Sequence, residues 1–171
     1  MGKALLVIDL QNDYFPEGKF PLWNTEAVLA GVERAIARAR AKHIPVILVQ
    51  HVADAAHGVA PFFNEGTPGA EVHPRVLAAA QGAPVVVKAF ADSFASTTLE
   101  ETLAKLGATE LLVCGMMTQN CVTHTAISRS AEKYGVTILP DACTTVSEIL
   151  HQIALHALST RARLSPVNDA I

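Results

Sequence analysis

The sequence predicts an α/β fold, a three-layer α/β/α sandwich around a mainly parallel sheet of about six strands. Short apolar strings alternate along the chain with stretches whose apolar residues recur at helical spacing, which is typical of a parallel sheet. The strings ALLVI and PVVV are apolar throughout, as expected for strands buried on both faces. Right-handed crossovers would place helices on both sides of the sheet. At 171 residues, the chain is expected to form one domain, residues 1–171.

The first half of the chain predicts three strands and two helices. A polar residue that can act as a cap precedes the long helix, and Pro74 suits the first turn of the short one. The predicted elements are a strand over Ala4 to Asp9, a helix from a cap at Asn24 or Thr25 to about Lys42, a strand over Pro45 to Gln50, a helix from Pro74 to about Gln81 and a strand over Pro84 to Lys88.

The second half predicts three more helices and up to three more strands. Thr97-x-x-Glu100 is a candidate capping box, Gly135 a candidate left-handed C-cap and Ser147 a candidate N-cap. The predicted elements are a helix from Thr97 to about Gly107, a strand over Glu110 to Gly115, a helix over Gln119 to Tyr134, a strand over Val136 to Leu139, a helix from Ser147 to about Ser159 and a short strand near Arg161 to Leu164.

Two long connections have no clear period, one over Gln11 to Trp23 and one over His51 to His73. We call them the first loop and the second loop. Long irregular connections inside a compact domain usually carry function, so we expect these loops to shape a binding pocket.

The composition limits the partners that the chain can have. Half of the residues are hydrophobic and 17% are charged, so the surface is short of charge and we expect a homo-oligomer, a dimer or a larger assembly. The net charge is −3 without a basic cluster, so nucleic acid is not an expected partner. No apolar run reaches the ~18 residues of a membrane span, so we expect no membrane partner.

The start of the chain and its cysteines favour a cytoplasmic protein. The segment MGKALLVID lacks the small-residue cleavage site of a signal peptide. The three cysteines, Cys114, Cys121 and Cys143, are an odd number without C-x-x-C spacing, which fits reduced thiols rather than a disulfide framework.

Cys121 is the most informative residue. It follows the apolar string LLVCG by a short loop, at the start of a predicted helix. Because a helix N-terminus has unpaired N–H donors and a positive dipole end, we expect the thiol to have a lowered pKa and backbone donors near it that can hold an oxyanion. The alternative is a buried cysteine that acts as a small hydrophobic residue.

Asp9 and Lys88 stand at the ends of two apolar strands. A buried charge is costly unless it is paired, so each could belong to a structural salt bridge. Ligands of open parallel sheets, however, bind beyond the carboxyl ends of the strands. The chain brings a carboxylate, an ammonium and a thiol to that edge, and together they favour a site.

With these residues in place, the chain resembles the isochorismatase-like cysteine hydrolase family, which includes nicotinamidases, carbamoylsarcosine-type amidases and isochorismatases proper. The resemblance covers nearly the whole chain and implies its Rossmann-like sheet topology. It is carried by LLVIDLQNDYF (Leu5 to Phe15), GTPGAEVHP (Gly66 to Pro74), KAFADSFASTTL (Lys88 to Leu99), CGMMTQNCV (Cys114 to Val122) and the pair Asp141-Ala142.

The resemblance implies a catalytic triad. Cys121 would be a thiolate nucleophile, Asp9 the base and later the acid, and Lys88 the cation that supports both. It also implies a non-proline cis peptide at Met116-Met117, with the backbone N–H groups of Met117 and Cys121 holding the oxyanion.

Other residues are candidates for the substrate pocket. Phe15 and Phe94 match family positions that face the substrate, and Gln119 and Asn120 flank the nucleophile. The alternative for each aromatic residue is the core. Five further residues, Phe20, Trp23 and Phe90 as pocket walls and Gln11 and Asn12 as loop or substrate partners, are weaker candidates.

Nicotinamidases add a metal site with a D-x-H pattern after the second strand. The corresponding segment here, VQHVADAAH, lacks that pattern, so we expect no metal and no other cofactor. The alternative is a zinc site made by His51, His57 and His73.

The resemblance implies a small-molecule substrate and cleavage of a C–N bond in an amide, ureide or carbamoyl group through a thioester acyl-enzyme. Isochorismatases proper break a vinyl ether and typically lack the nucleophilic cysteine, so Cys121 favours C–N cleavage. Two alternatives stay open: vinyl-ether hydrolysis of the isochorismate type, and a non-catalytic oligomer that binds a metabolite or senses oxidants.

Overall fold

A computed structural model describes residues 2–171 and contains one six-stranded parallel sheet with strand order β3-β2-β1-β4-β5-β6. The predicted α/β fold is confirmed. The strands are β1 (Gly2–Ile8), β2 (Val46–His51), β3 (Val85–Lys88), β4 (Ala108–Met116), β5 (Gly135–Thr144) and β6 (Arg163–Leu164).

The strand order reverses between β1 and β4. From β1 the chain adds β2 and β3 on one side, then returns and adds β4, β5 and β6 on the other. Residues 4–8 of β1 are buried, because neighbouring strands cover both edges and helices cover both faces. Ligands of such sheets bind at the carboxyl end of the strands where the order reverses, and that is where Asp9 leaves β1.

Among residues 2–171, six helices complete the layers, and short 3-10 turns interrupt the two long loops. The helices are α1 (Thr25–Ala41), α2 (Pro74–Ala79), α3 (Leu99–Lys105), α4 (Thr123–Ala126), α5 (Glu148–Leu158) and α6 (Val167–Ala170). Helix α1 buries Val28, Leu29, Val32 and Ile36, which recur at helical spacing. As predicted, the Ser147 side chain caps α5 by accepting from the Leu150 N–H. No helix among residues 2–171 has the length and apolarity that crossing a bilayer requires.

The predicted helix over Gln119 to Tyr134 is wrong. The structure has a π turn over residues 118–122, the four-residue α4 and a separate 3-10 turn over residues 129–131. The Thr123 hydroxyl donates to the Thr118 carbonyl, and the Ser128 hydroxyl accepts from the Ser130 N–H and donates to Asp92. Such local bonds compete with the regular helix. Gly135 consequently begins β5 and does not cap a helix.

The predicted start of α3 also differs. The Thr97 hydroxyl accepts from the Leu99 N–H, but the Glu100 carboxylate pairs with Lys133 instead of completing a capping box. At the start of α1, Asn24 lies in the left-handed region at φ 57° and its side chain makes no cap bond. Asn24, Thr97 and Glu100 therefore lie near the helix starts that the sequence predicted, but they do not form the predicted capping contacts.

Candidate active site

Asp9, Lys88 and Cys121 lie together at the carboxyl edge of the sheet. The Lys88 ammonium is 2.9 Å from Asp9 Oδ2 and 3.3 Å from Cys121 Sγ, and all three residues are buried. The geometry brings together the three residues that the sequence singled out. Their catalytic roles remain predictions.

Local backbone structure places each of these groups. Asp9 follows β1 in the left-handed region at φ 54°. Behind it, Gly115 lies in β4 at φ 127°, where an added Cβ would be 2.0 Å from the Ile8 carbonyl oxygen. Only glycine allows β4 to approach β1 this closely, so Gly115 helps to set the distance between the Asp9 and Cys121 segments.

The turn that carries Cys121 begins at a cis peptide between Met116 and Met117, at the position that the family resemblance implies. The Thr118 hydroxyl is 2.8 Å from His151 Nδ1 on α5. The pKa of His151 is lowered by burial, against a smaller opposite effect of Glu148. A buried contact to the neighbouring helix therefore holds the turn from behind.

Burial and pairing set the charges of the triad. Burial lowers the pKa of Lys88, but Asp9 and Cys121 together outweigh it and leave that pKa raised, so the side chain is an ammonium. Burial raises the pKa of Cys121, Asp9 raises it further and Lys88 only partly opposes them. The expected lowered thiol pKa is therefore wrong for the free site, because the thiol is out of water and within a π turn, away from the end of a long helix.

Asp9 has one carboxylate oxygen free to accept a proton. Oδ2 is bound to Lys88, whereas the buried Oδ1 has no hydrogen-bond partner among residues 2–171. An Asp9 oxygen, a ring nitrogen of His51 and the Cys121 sulfur lie within 4.8 Å of one another. An unpaired buried carboxylate oxygen is costly, so Oδ1 is a free acceptor for a hydrogen bond from a bound group.

The sequence analysis considered His51 only as a possible zinc ligand and missed its contact with the triad. Its Nδ1 is 3.0 Å from the Lys88 ammonium, and its pKa is lowered by burial and by Lys88, with Asp9 opposing. The strand β2 was predicted to end one residue earlier, which left His51 in the loop. Its position directly after an apolar strand, like those of Asp9 and Lys88, was the available signal.

The three histidines weighed as a zinc site have different surroundings. His51 contacts Lys88, the exposed His57 pairs with Asp54 at 3.4 Å, and His73 Nδ1 accepts from the Arg75 N–H at the start of α2. They therefore do not form a metal site together. The donor set also does not fit the D-x-H metal of nicotinamidases, because the aspartate of this segment, Asp54, is followed two positions later by Ala56 and not by a histidine.

Gln11 joins the first loop to the second. Its amide Nε2 donates to the carbonyl oxygens of His51 and Ala70, both at 2.7 Å, and its Oε1 accepts from the His51 N–H at 2.8 Å. Of the two predicted options, the fully buried Gln11 side chain therefore binds the loop. Asp13, which the sequence analysis did not single out, makes a second link by accepting from the Phe63 N–H at 2.8 Å.

Aromatic rings surround one side of the site. Tyr14 packs against three phenylalanines, and its pKa is raised by burial first and then by the charges of Asp9 and Cys121, so its hydroxyl stays protonated. The Tyr14 partners are Phe20, Phe62 and Phe63, with ring centroids 4.5 to 6.3 Å away. Tyr14, Phe62 and Phe63 were not singled out from the sequence.

The predicted substrate-contacting residues lie in different environments. Phe15 is buried against the His73 ring at 4.3 Å, and Phe94 is buried and stacks on Tyr134 at 6.3 Å. Gln119 and Asn120 are partly exposed beside Cys121. Their contacts with a substrate remain predictions.

A cavity of about 380 Å³ lies beside the end of β3, and neither Asp9 nor Cys121 lines it. Its lining includes Lys88, the exposed Phe90 and two acidic side chains, Asp54 and Glu65. Of the weaker pocket candidates, Phe90 lines this space, whereas Phe20 packs in the Tyr14 cluster and the Trp23 ring lies 6.1 Å from that of His151.

The sequence and the fold are similar to those of known proteins. The Isochorismatase domain model matches residues 3–169. The isochorismatase family protein YddQ of Bacillus subtilis is 38% identical over 86% of this chain and 80% of its own, and the ureidoacrylate amidohydrolase RutB of Methylobacterium radiotolerans is 29% identical over 91% of this chain and 72% of its own. The crystal structure of an isochorismatase family protein from Desulfovibrio vulgaris has a TM-score of 0.87 and 26% identity, over 97% of this chain and 94% of that one. The chain therefore belongs to the isochorismatase family and is a hydrolase of that family.

Proposed function

We propose that the protein is a cysteine hydrolase that cleaves a C–N bond of a small amide, ureide or carbamoyl compound. The observation that supports this proposal is the contact of the Lys88 ammonium with both Cys121 Sγ and Asp9 Oδ2, while Asp9 Oδ1 is left without a partner. A nucleophile, a cation and a proton acceptor are thus within reach of one reacting carbonyl group.

In the first half of the reaction, Asp9 accepts the thiol proton as Cys121 Sγ attacks the carbonyl carbon. Proton transfer during the attack is required because the resting thiol has a raised pKa. The N–H groups of Met117 and Cys121 would hold the oxyanion. The C–N bond then breaks, Asp9 returns the proton to the leaving nitrogen and a thioester remains on Cys121.

In the second half, Asp9 removes a proton from water as the water oxygen attacks the thioester carbon. The C–S bond breaks, the acid leaves and the proton returns to the sulfur, so the free enzyme is regenerated. Lys88 stays cationic throughout and offsets the negative charge that moves between the carboxylate and the sulfur.

The choice of a C–N bond is supported by chemistry and by a relative. A thiolate is suited to acyl transfer, and one relative is named an amidohydrolase. None of the steps calls on a metal or another cofactor.

The test is release of ammonia from a panel of primary amides, ureides and N-carbamoyl compounds. We expect turnover by the wild type and a loss of about 10⁴-fold or more in Cys121→Ala. The matched control is Cys143→Ala, which removes another buried thiol outside the triad and should retain turnover. Acid-quenched wild type should also carry the acyl group on Cys121 by intact mass.

Other outcomes would contradict the proposal. Full activity of Cys121→Ala would exclude the mechanism. Cleavage of a vinyl ether with no ammonia from any amide would identify the isochorismate type of reaction. Binding of a metabolite without turnover would identify a non-catalytic protein.

We also propose that the protein is a cytoplasmic homo-oligomer. Three free cysteines favour a reducing compartment. The charge-poor composition and exposed apolar side chains such as Ile149 and Ile153 favour assembly. Size-exclusion chromatography with light scattering tests the assembly, and a single species of 18.1 kDa would contradict it.

A further inference from the structure

The Lys88 ammonium has more acceptors around it than hydrogens to give. An ammonium group has three N–H donors, whereas four acceptors lie within 3.3 Å of Nζ. They are Asp9 Oδ2 at 2.9 Å, His51 Nδ1 at 3.0 Å, the Phe90 carbonyl oxygen at 3.1 Å and Cys121 Sγ at 3.3 Å. The mechanism described above uses the contacts to Asp9 and Cys121 and assigns no role to the one with His51.

The contact fixes the state of the His51 ring. An ammonium can only donate, and a proton on His51 Nδ1 would face the Lys88 ammonium across 3.0 Å and be repelled by it. The contact therefore favours an unprotonated Nδ1 and a neutral ring with its proton on Nε2. Burial and the Lys88 charge lower the pKa of His51, and the more distant Asp9 only partly opposes them. The geometry and the local charges therefore agree.

Two features of the fold, the register of β2 with β3 and the hydrogen bonds of Gln11, position His51 beside Lys88. His51 and Lys88 are direct partners in the register of β2 and β3, so their side chains leave the sheet next to each other. The amide of Gln11 binds both backbone polar groups of His51, which holds the end of β2 against the segment that follows Asp9. His51 is thus placed beside the Lys88 side chain where that chain crosses β2 to reach Asp9.

We propose that His51 is a positioning residue of the Cys121 site, whose Nδ1 acts with the Phe90 carbonyl oxygen to hold the Lys88 ammonium between Asp9 and Cys121. The inference rests on the proposed function, because it concerns the same site. Without this acceptor, the buried ammonium loses a hydrogen-bond partner. Either the Lys88 side chain then moves, or its charged form becomes less stable. In both cases, the developing thiolate of Cys121 loses electrostatic support.

The matched variants are His51→Leu and His51→Asn. The two side chains have nearly the same shape, but only asparagine offers an acceptor at the δ position. With an amide substrate from the panel, we expect His51→Leu to lower kcat by about 10- to 100-fold, as for a lost hydrogen bond to a charged group, with little change in KM. His51→Asn should recover most of kcat. Equal kcat values in the two variants, or an effect confined to KM, would overturn the proposal.

A second measurement does not depend on turnover. Alkylation of Cys121 by iodoacetamide, mapped by mass spectrometry at fixed pH, should be slower in His51→Leu than in the wild type and in His51→Asn. Equal alkylation rates would overturn the positioning role even if no substrate were turned over. Absence of ammonia release by the wild type, in contrast, would count against the proposed function alone.

A third variant covers the case in which His51→Leu does not fold. His51→Ala leaves space for a free imidazole molecule, and added imidazole should raise both kcat and the alkylation rate of this variant. No response to imidazole in a folded His51→Ala protein would contradict the proposal, because the missing acceptor would then be shown to have no effect.

Discussion

Lys88 reaches across a whole strand to pair with Asp9. Asp9 follows β1, Lys88 ends β3, and β2 lies between these two strands, yet the Nζ–Oδ2 distance is 2.9 Å and both side chains are buried. Strands in a sheet are about 4.8 Å apart, so a side chain that spans two strand spacings must be long. Lysine meets this requirement and brings a single point of charge to the carboxylate.

The pair has a consequence for stability. We expect Lys88→Met to lower the free energy of unfolding at pH 7 by about 3 to 5 kcal/mol, because it leaves Asp9 buried without its partner. The double variant Asp9→Asn/Lys88→Met should recover part of that loss, since no unpaired charge remains. Urea unfolding followed by circular dichroism measures both. A Lys88→Met protein as stable as the wild type would show that the carboxylate gains another partner or a proton at no cost.

Gly115 predicts a second effect on stability. A methyl group there would meet the Ile8 carbonyl oxygen at 2.0 Å in a backbone region that disfavours side chains, so Gly115→Ala should cost about 3 kcal/mol or more. Gly107→Ala is the control, because Gly107 also has a positive φ but has open space around it. Its cost should be about 1 to 2 kcal/mol. Equal losses in urea unfolding would mean that crowding against β1 is relieved by a small shift.

The raised pKa of Cys121 predicts how the free enzyme reacts with iodoacetamide. The thiolate is the reacting form, so the alkylation rate of Cys121 should keep rising with pH and show no plateau below about pH 8.5. Cys114 and Cys143 should react more slowly still, because both lie within strands of the sheet, β4 and β5, where the reagent cannot reach the buried sulfur. Fast alkylation of Cys121 that is nearly constant from pH 8 down to pH 6 would contradict this reading of the site.

The buried His151 predicts a loss of stability in acid. Burial lowers its pKa in the folded protein, so on acidification the unfolded chain takes up the proton first. The free energy of unfolding should therefore fall as the pH drops below about 6.5. His51 and His73, whose pKa values are also lowered, act in the same direction.

His151→Asn isolates one of these contributions. Asparagine keeps a polar partner for the Thr118 hydroxyl but does not titrate, so the variant should lose less stability than the wild type between pH 7 and pH 5. The difference is bounded by about 1.4 kcal/mol per pH unit for one group. Urea unfolding at three pH values measures the slopes. Parallel curves for the two proteins would show that His151 has the same pKa folded and unfolded.

Much of the fold could be predicted because its signals are local. The apolar strings predict five of the strands. Because Asp9, Lys88 and Cys121 each follow or end such a string, the sequence alone predicts that they meet at the carboxyl edge of the sheet. The cis peptide at Met116-Met117 came from the family resemblance, since nothing in the local pattern distinguishes these two methionines from core residues.

What could not be predicted depends on contacts between distant segments. The helix after Cys121 is broken by hydroxyl bonds whose partners, such as Asp92, lie elsewhere in the sequence. His51 meets Lys88 because of the register between β2 and β3. Strands that are apolar throughout remain buried when one shifts along the other, so their sequence does not predict the register. The direction of the Cys121 pKa shift depends on how completely the surrounding chain excludes water, which composition does not reveal.

The links from Gln11 to Ala70 and from Asp13 to Phe63 bear on attempts to change the substrate range. Both side chains are buried and belong to the first loop, while their backbone partners belong to the second. A chimera that takes only one loop from a relative would have to reproduce these partners by chance, or leave an amide and a carboxylate unsatisfied in the interior. The first and second loops therefore depend on each other, and a redesign of the substrate range should exchange both together.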